Sequence, residues 1–327
     1  KSLQSMESLP LEVLSTVISY TSLHDRLELA RTSTTMHEAV QYDRPLVYLE
    51  IFPCSRRIQG LEVGYCGWCN GGHECSRFLV QSLARIGDSV DTYSNSLRDV
   101  SSLLGILSVV RVRKLKVSWG TTVDDLSLLG VLLHDHPVHD IVIVSDFASG
   151  NAKQTLHGIA QLLARPSIPF LSVSMLFAQE DEESNALAEL LLRQCASAQY
   201  LRLATSVKLG MVHERCKSFT SSGLFSLLPR VSSLCAESAT FHVDECQLCE
   251  AVQLVHDAGH AGASFNAPAS IDLEAVKGEV GRRFPSATVD PTETTVVQLV
   301  MVVPGYRLRI FKTPRKTTVY FHGLPRF

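Results

Sequence analysis

The chain has 327 residues, 45% hydrophobic and 19% charged, with 30 Lys and Arg against 33 Asp and Glu for a net charge of -3. This composition is too apolar for a disordered chain, and the length suits two or three folded units. The balance of charge leaves no whole-chain electrostatic footprint for nucleic acid or an anionic lipid surface, and no apolar run reaches the roughly 18 residues of a membrane span. The first residues lack the basic region and apolar core of a signal peptide. The nine cysteines are an odd number, some of them inside apolar patterns, which argues for reduced thiols over a secreted disulfide framework. The expected location is the cytoplasm, the nucleus or both.

Three helical patterns crowd residues 7 to 40. Ser8 can cap a first helix with Pro10 and Glu12 in its first turn, where a missing N–H costs little and an acidic group suits the dipole. Leu11, Leu14, Val17 and Ile18 form its buried stripe, while Leu9 and Val13 lie to the side, so a second surface must be covered by something else. Ser22 and Asp25 make a capping pattern for a second helix with Leu23, Leu27 and Ala30 on one face. A third helix begins near Thr34 or Thr35 and carries Met36 and Val40. About 40 residues are too few for an independent core, so these helices should pack on a partner or on the next domain of the chain.

Leu9-Pro10, Glu12-Val13, Ile18-Ser19-Tyr20 and the run Asp25, Leu27, Leu29, Ala30 together resemble an F-box. The resemblance covers roughly the first 45 residues. It implies binding to a Skp adaptor, and through it to a cullin-RING ubiquitin ligase, with Leu9, Pro10, Val13, Leu14, Ile18, Leu27 and Leu29 as the adaptor surface. Thr21, Arg26, Thr32 and Met36 stand where the family more often has Leu, another apolar residue, Val and Trp.

A glycine-rich stretch comes next, with Cys66, Cys69, His73 and Cys75 within ten residues. Thiolates with one imidazole are a zinc-type ligand set, but the single residue between His73 and Cys75 is a cramped spacing and no second conventional pair is present after it. A redox use of Cys66 and Cys69 would need a helix where Gly71 and Gly72 stand. The preferred reading is a connecting loop with reduced thiols and no cofactor, with zinc on these four residues as the alternative.

From about residue 96, helical and β patterns alternate, with strand centres Leu115, Ile141, Leu171, Leu201 and Leu234 about 26 to 33 residues apart. Alternation of this kind predicts a parallel sheet. It looks like the degenerate leucine-rich repeats found after many F-boxes, although Ser118, Ser145, Met175 and Thr205 stand where a laddering Asn or Cys would be. A nonrepetitive α/β domain is the alternative.

The cluster His134, Asp135, His136, His139 and Asp140 is interrupted by Pro137 and reads as a solvated loop. Residues 179–185 read as an acidic helix start, and Cys246 and Cys249 as buried thiols on a helix. The end of the chain becomes a β-meander with Pro-Gly and Thr-Pro-Arg-Lys turns. Its basic residues Arg307, Arg309, Lys312, Arg315 and Lys316 read as edge-strand protection. No motif of an active site is present.

The expected fold is therefore α/β: a three-helix F-box-like segment at 1–45, a Cys/Gly-containing connecting segment with a helix at 46–95, a curved, mostly parallel β-α repeat domain at 96–290, and an antiparallel cap at 291–327. The expected role is a non-catalytic receptor that joins the Skp adaptor and its cullin-RING ligase to an unknown target protein, without nucleic acid or membrane. The alternative is a protein-interaction scaffold whose F-box-like segment no longer binds the adaptor, a reading that rests on Thr21 and Arg26.

Overall fold

The computed structural model describes residues 8–53, 76–86, 89–118, 121, 123–146, 152–165, 167–177, 181–209 and 213–324. The chain divides into two compact units, Lys1–Val142 and Ile143–Phe327. Among the described residues no helix is long and apolar enough to cross a membrane.

The first unit opens with α1 (Leu11–Ser19), α2 (Leu23–Thr32) and α3 (Thr34–Tyr42). Ser22 Oγ accepts from Asp25 N at the start of α2, as the capping pattern predicts, and Ser33 caps α3 through Met36 N. Three strands come after them, β1 (Leu46–Pro53), β2 (Ser76–Ile86) and β3 (Ser89–Ser96), then α4 (Val100–Val109), β4 (Arg111–Val117) and α5 (Val123–Leu132). β1 lies between β2, to which it is antiparallel, and β4, to which it is parallel; β3 adds antiparallel to β2.

The described part of 46–95 is thus strand, where the sequence suggested a connector with a helix. The apolar positions Phe78 and Val80 are fully buried at an alternating period. Pairing with β1 on one side and β3 on the other overrides the local pattern. Cys66, Cys69, His73 and Cys75 lie outside the described residues.

β5 (Asp140–Asp146) straddles the division, and the second unit continues with α6 (Ala152–Leu163), β6 (Ile168–Phe177), α7 (Glu182–Gln194) and β7 (Ala198–Leu209). After these come β8 (His213–Thr220), α8 (Ser221–Leu227), β9 (Ser233–His242), α9 (Glu245–Asp257), β10 (Gly262–Ala267) and α10 (Leu273–Arg283). The pairs β6–β7, β7–β9 and β9–β10 are parallel, and β8 enters as a hairpin partner antiparallel to β7. As the acidic stretch predicts, α7 starts on an Asp181 cap with Glu182 and Glu183 in its first turn.

The regular strand centres meet. Leu171 pairs with Leu201, Leu201 with Leu234 and Leu234 with Ala263, all buried, so one apolar row runs straight across the parallel strands. The row continues through Phe321 and Leu308 to Met301 in the antiparallel end.

That end consists of the short β11 (Thr288–Val289) with β12 (Gln298–Val303), β13 (Tyr306–Lys312) and β14 (Thr317–Gly323). It joins the parallel strands by β14 pairing antiparallel to β10. Gly305, with φ 75°, takes the left-handed position of the Pro-Gly turn between β12 and β13. Four of the basic residues here have partners: Arg307 bonds Asp290 at 3.1 Å and Glu293 at 2.5 Å, Arg309 bonds Glu293, Lys312 donates to Ile271 O, and Lys316 donates to Glu237 O. Among the described residues no cluster could hold a metal ion, the histidines at 134 to 139 included.

Candidate functional site on the first three helices

α1 begins directly after Pro10, whose φ of -54° suits a helix entry and whose lost N–H would have gone unused there. With 3.6 residues per turn, Leu14 and Ile18 fall on one side of α1 and Val13 and Val17 on another. The burial agrees. Leu14 and Ile18 are fully buried with Leu23, Leu27, Met36, Ala39 and Val40 as the common core of the three helices. On the other side, Leu9 is 40% exposed, Val13 44%, Val17 44% and Tyr20 78%, and Pro10 is also exposed. These five make an apolar stripe on a surface that should otherwise be polar.

The seven residues implied as an adaptor surface are therefore separated by the structure. Leu9, Pro10 and Val13 are presented outward. Leu14, Ile18 and Leu27 belong to the internal core, because the helix period turns them inward, and they act by holding the outward ones in place; Leu29 is half-buried. Val17, assigned to the buried stripe from its spacing alone, is outside, and Tyr20 joins it. Their signal in the sequence is the i, i+4, i+8 recurrence of Leu9, Val13 and Val17.

Arg26 is not an exposed interruption of that surface. It is 6% exposed, and its guanidinium donates to Ser19 O at 2.7 Å, Thr21 O at 3.3 Å and Asp43 O at 3.4 Å. These carbonyls close the end of α1, the link to α2 and the end of α3, so one side chain ties the three helices together. Burial pulls the Arg26 pKa below its ordinary value, and the negative charges of Asp43 and Asp91 oppose that shift. Thr21 Oγ1 likewise turns inward, donating to Ile18 O at 2.7 Å. Met36 is buried where the resemblance more often has Trp.

The helices also rest on the remainder of the first unit. Leu27 packs against Gly105 of α4, and the Leu23 N–H donates to the Asp91 carboxylate on β3. The covering that so small a helical set requires comes in part from α4 and β3. None of these contacts uses Leu9, Val13, Val17 or Tyr20.

Comparison with curated proteins and with solved structures finds no match to the chain. A family model does match: residues 6–48 fit the F-box domain, a span that contains α1, α2, α3 and the outward stripe. The three helices are an F-box domain.

Proposed function

We propose that the chain is a target-receptor subunit of a Skp-cullin-F-box type ubiquitin ligase. The F-box helices dock on the Skp adaptor, the remaining α/β part holds a target protein, and partner enzymes carry out ubiquitin transfer. One observation carries this reading: the outward stripe of Leu9, Pro10, Val13, Val17 and Tyr20 on a domain whose own core is filled without it. Burying such side chains against a partner is favourable by about 1.5 kcal/mol or more each for the larger ones.

Support for target binding comes from the less buried face of the second unit's strands. Ser172, Arg202, Cys235, Ser264, Tyr320 and Arg309 succeed one another in cross-strand register. Beside them, the paired Phe170 and Tyr200 are 36% and 46% exposed. Aromatic and Arg side chains together are the composition of protein-binding patches.

The scaffold reading drew on Thr21 and Arg26 as departures from the family pattern. Both are engaged internally and leave the outward stripe intact. The test is to mix the purified chain with Skp adaptor and a cullin-RING pair and run size-exclusion chromatography with light scattering. Co-elution as one stoichiometric complex supports the receptor role. Separate elution overturns it in favour of a scaffold.

A further inference from the structure

The N-terminal end of α9 brings two cysteines together with a fixed cation. Asp244 caps the helix through a reciprocal pair with Gln247, which places Cys246 second and Cys249 fifth in the helix. Residues three apart on an α-helix have Cα atoms about 5 Å apart, inside the range that a disulfide spans. The two sulfurs have opposite environments. Cys246 is exposed and accepts from Arg283 Nη2 at 3.4 Å, whereas Cys249 is fully buried and donates to Val276 O at 3.8 Å.

Arg283 does not wave in solvent. Its Nε donates to Glu279 Oε1 at 2.8 Å and its Nη1 to Gln253 Oε1 at 2.8 Å, so the guanidinium is held over Cys246 from α10. An exposed sulfur beside a cation at a helix start, three residues before a buried sulfur, divides the two into an attacking and a resolving thiol. The reading of both as buried core thiols is thereby corrected for Cys246.

We propose that Cys246 and Cys249 form a redox modification site that reacts with low-molecular-weight disulfides and closes to an intrahelical disulfide. Cys246, as the thiolate, attacks one sulfur of the small disulfide. That S–S bond breaks, a mixed disulfide forms on Cys246, and one small thiolate leaves and takes up the proton Cys246 has lost. Cys249 then attacks Cys246 Sγ; the mixed disulfide breaks, and the second small thiolate leaves with the proton from Cys249. Two protein thiols lose two electrons, and one small disulfide becomes two thiols.

Burial pushes the Cys249 thiol up to about 12, so Cys249 stays protonated in the reduced chain and the exposed Cys246 is the sulfur that attacks first. Closure takes the Cys249 sulfur from Val276 O and removes the acceptor that Arg283 has on Cys246. Both changes act on the packing of α9 against α10.

The test uses the full reduced chain with oxidised glutathione as the probe, then alkylation, digestion and mass spectrometry of the peptide carrying residues 245–257. The wild type is expected to give an internal Cys246–Cys249 bond. Cys249→Ala should instead accumulate glutathione on Cys246, Cys246→Ala should leave Cys249 reduced, and Arg283→Gln should slow modification of Cys246 at least about threefold. The wild-type arm decides the matter even if a variant folds poorly. Both thiols still reduced in the wild type, a stable glutathione adduct that never resolves, or equal reactivity of Cys249 without Cys246 would each overturn the proposal.

Discussion

Leu27 Cδ1 in α2 lies so close to Gly105 in α4 that a Cβ added to the glycine would stand 3.2 Å from it. This contact seats the F-box on the remainder of its unit, and a side chain at 105 must displace it. Gly105→Val is expected to lower stability by about 1–3 kcal/mol through overpacking. Gly105→Ala should change it by only about 0.5 kcal/mol, because the helix-propensity gain of alanine offsets the small shift asked of Leu27. Urea unfolding midpoints of the two variants measure the difference.

Arg26 supplies donors to three carbonyls that close the three-helix set. Arg26→Ala should cost about 2–3 kcal/mol, since it leaves part-buried carbonyls without partners. Arg26→Lys should recover only part of this, because an ammonium lacks the planar fork that reaches separate helix ends. Thermal melts monitored by circular dichroism would show the ranking wild type, lysine, alanine.

Asp99 caps α4 and takes hydrogen bonds from the Ser102 and Ser101 hydroxyls and the Ser102 N–H, which hold its carboxyl down from 3.8 to about 2. A depressed folded-state value means a stabilising contribution that is complete above pH 3.8 and is lost as the pH falls toward about 2. Asp99→Asn retains a capping side chain but does not titrate. Its unfolding free energy should therefore fall less steeply than that of the wild type across this window, read from urea titrations at successive pH values.

Thr317 on β14 is fully buried, and its hydroxyl has no hydrogen-bond partner among the described residues. Valine has nearly the same shape and no polar atom to desolvate. Thr317→Val is expected to raise stability by up to about 1 kcal/mol, seen as a higher urea midpoint with an unchanged slope.

The β-α alternation was legible because Leu115, Ile141, Leu171, Leu201 and Leu234 are each a buried residue of a strand. Other strands were hidden for physical reasons. β10 is buried along its whole length yet reads Gly-Ala-Ser-Phe-Asn-Ala, and its Asn266 is satisfied by Glu237 O and the Thr318 hydroxyl, partners far away in sequence. β2 carries several apolar residues at ambiguous spacing, and only its pairing with β1 and β3 decides its state.

At the F-box, the motif located the helices, but a motif names residues without saying which way they face. The three-helix packing made that division by burying Leu14, Ile18 and Leu27 and leaving Leu9, Val13, Val17 and Tyr20 outside. Likewise Arg26 reads as a surface charge until the carbonyls of Ser19, Thr21 and Asp43 are brought around it.

The most direct measurement is calorimetric titration of purified Skp adaptor into the wild-type chain and into the Val13→Asp, Val17→Asp double variant, after confirming equal melting temperatures. Both valines are 44% exposed, so the substitutions should leave the fold intact. The stripe predicts binding by the wild type and a loss of at least about tenfold, or about 1.4 kcal/mol, in the variant. Equal affinity in the two, or no binding by the wild type, would contradict it.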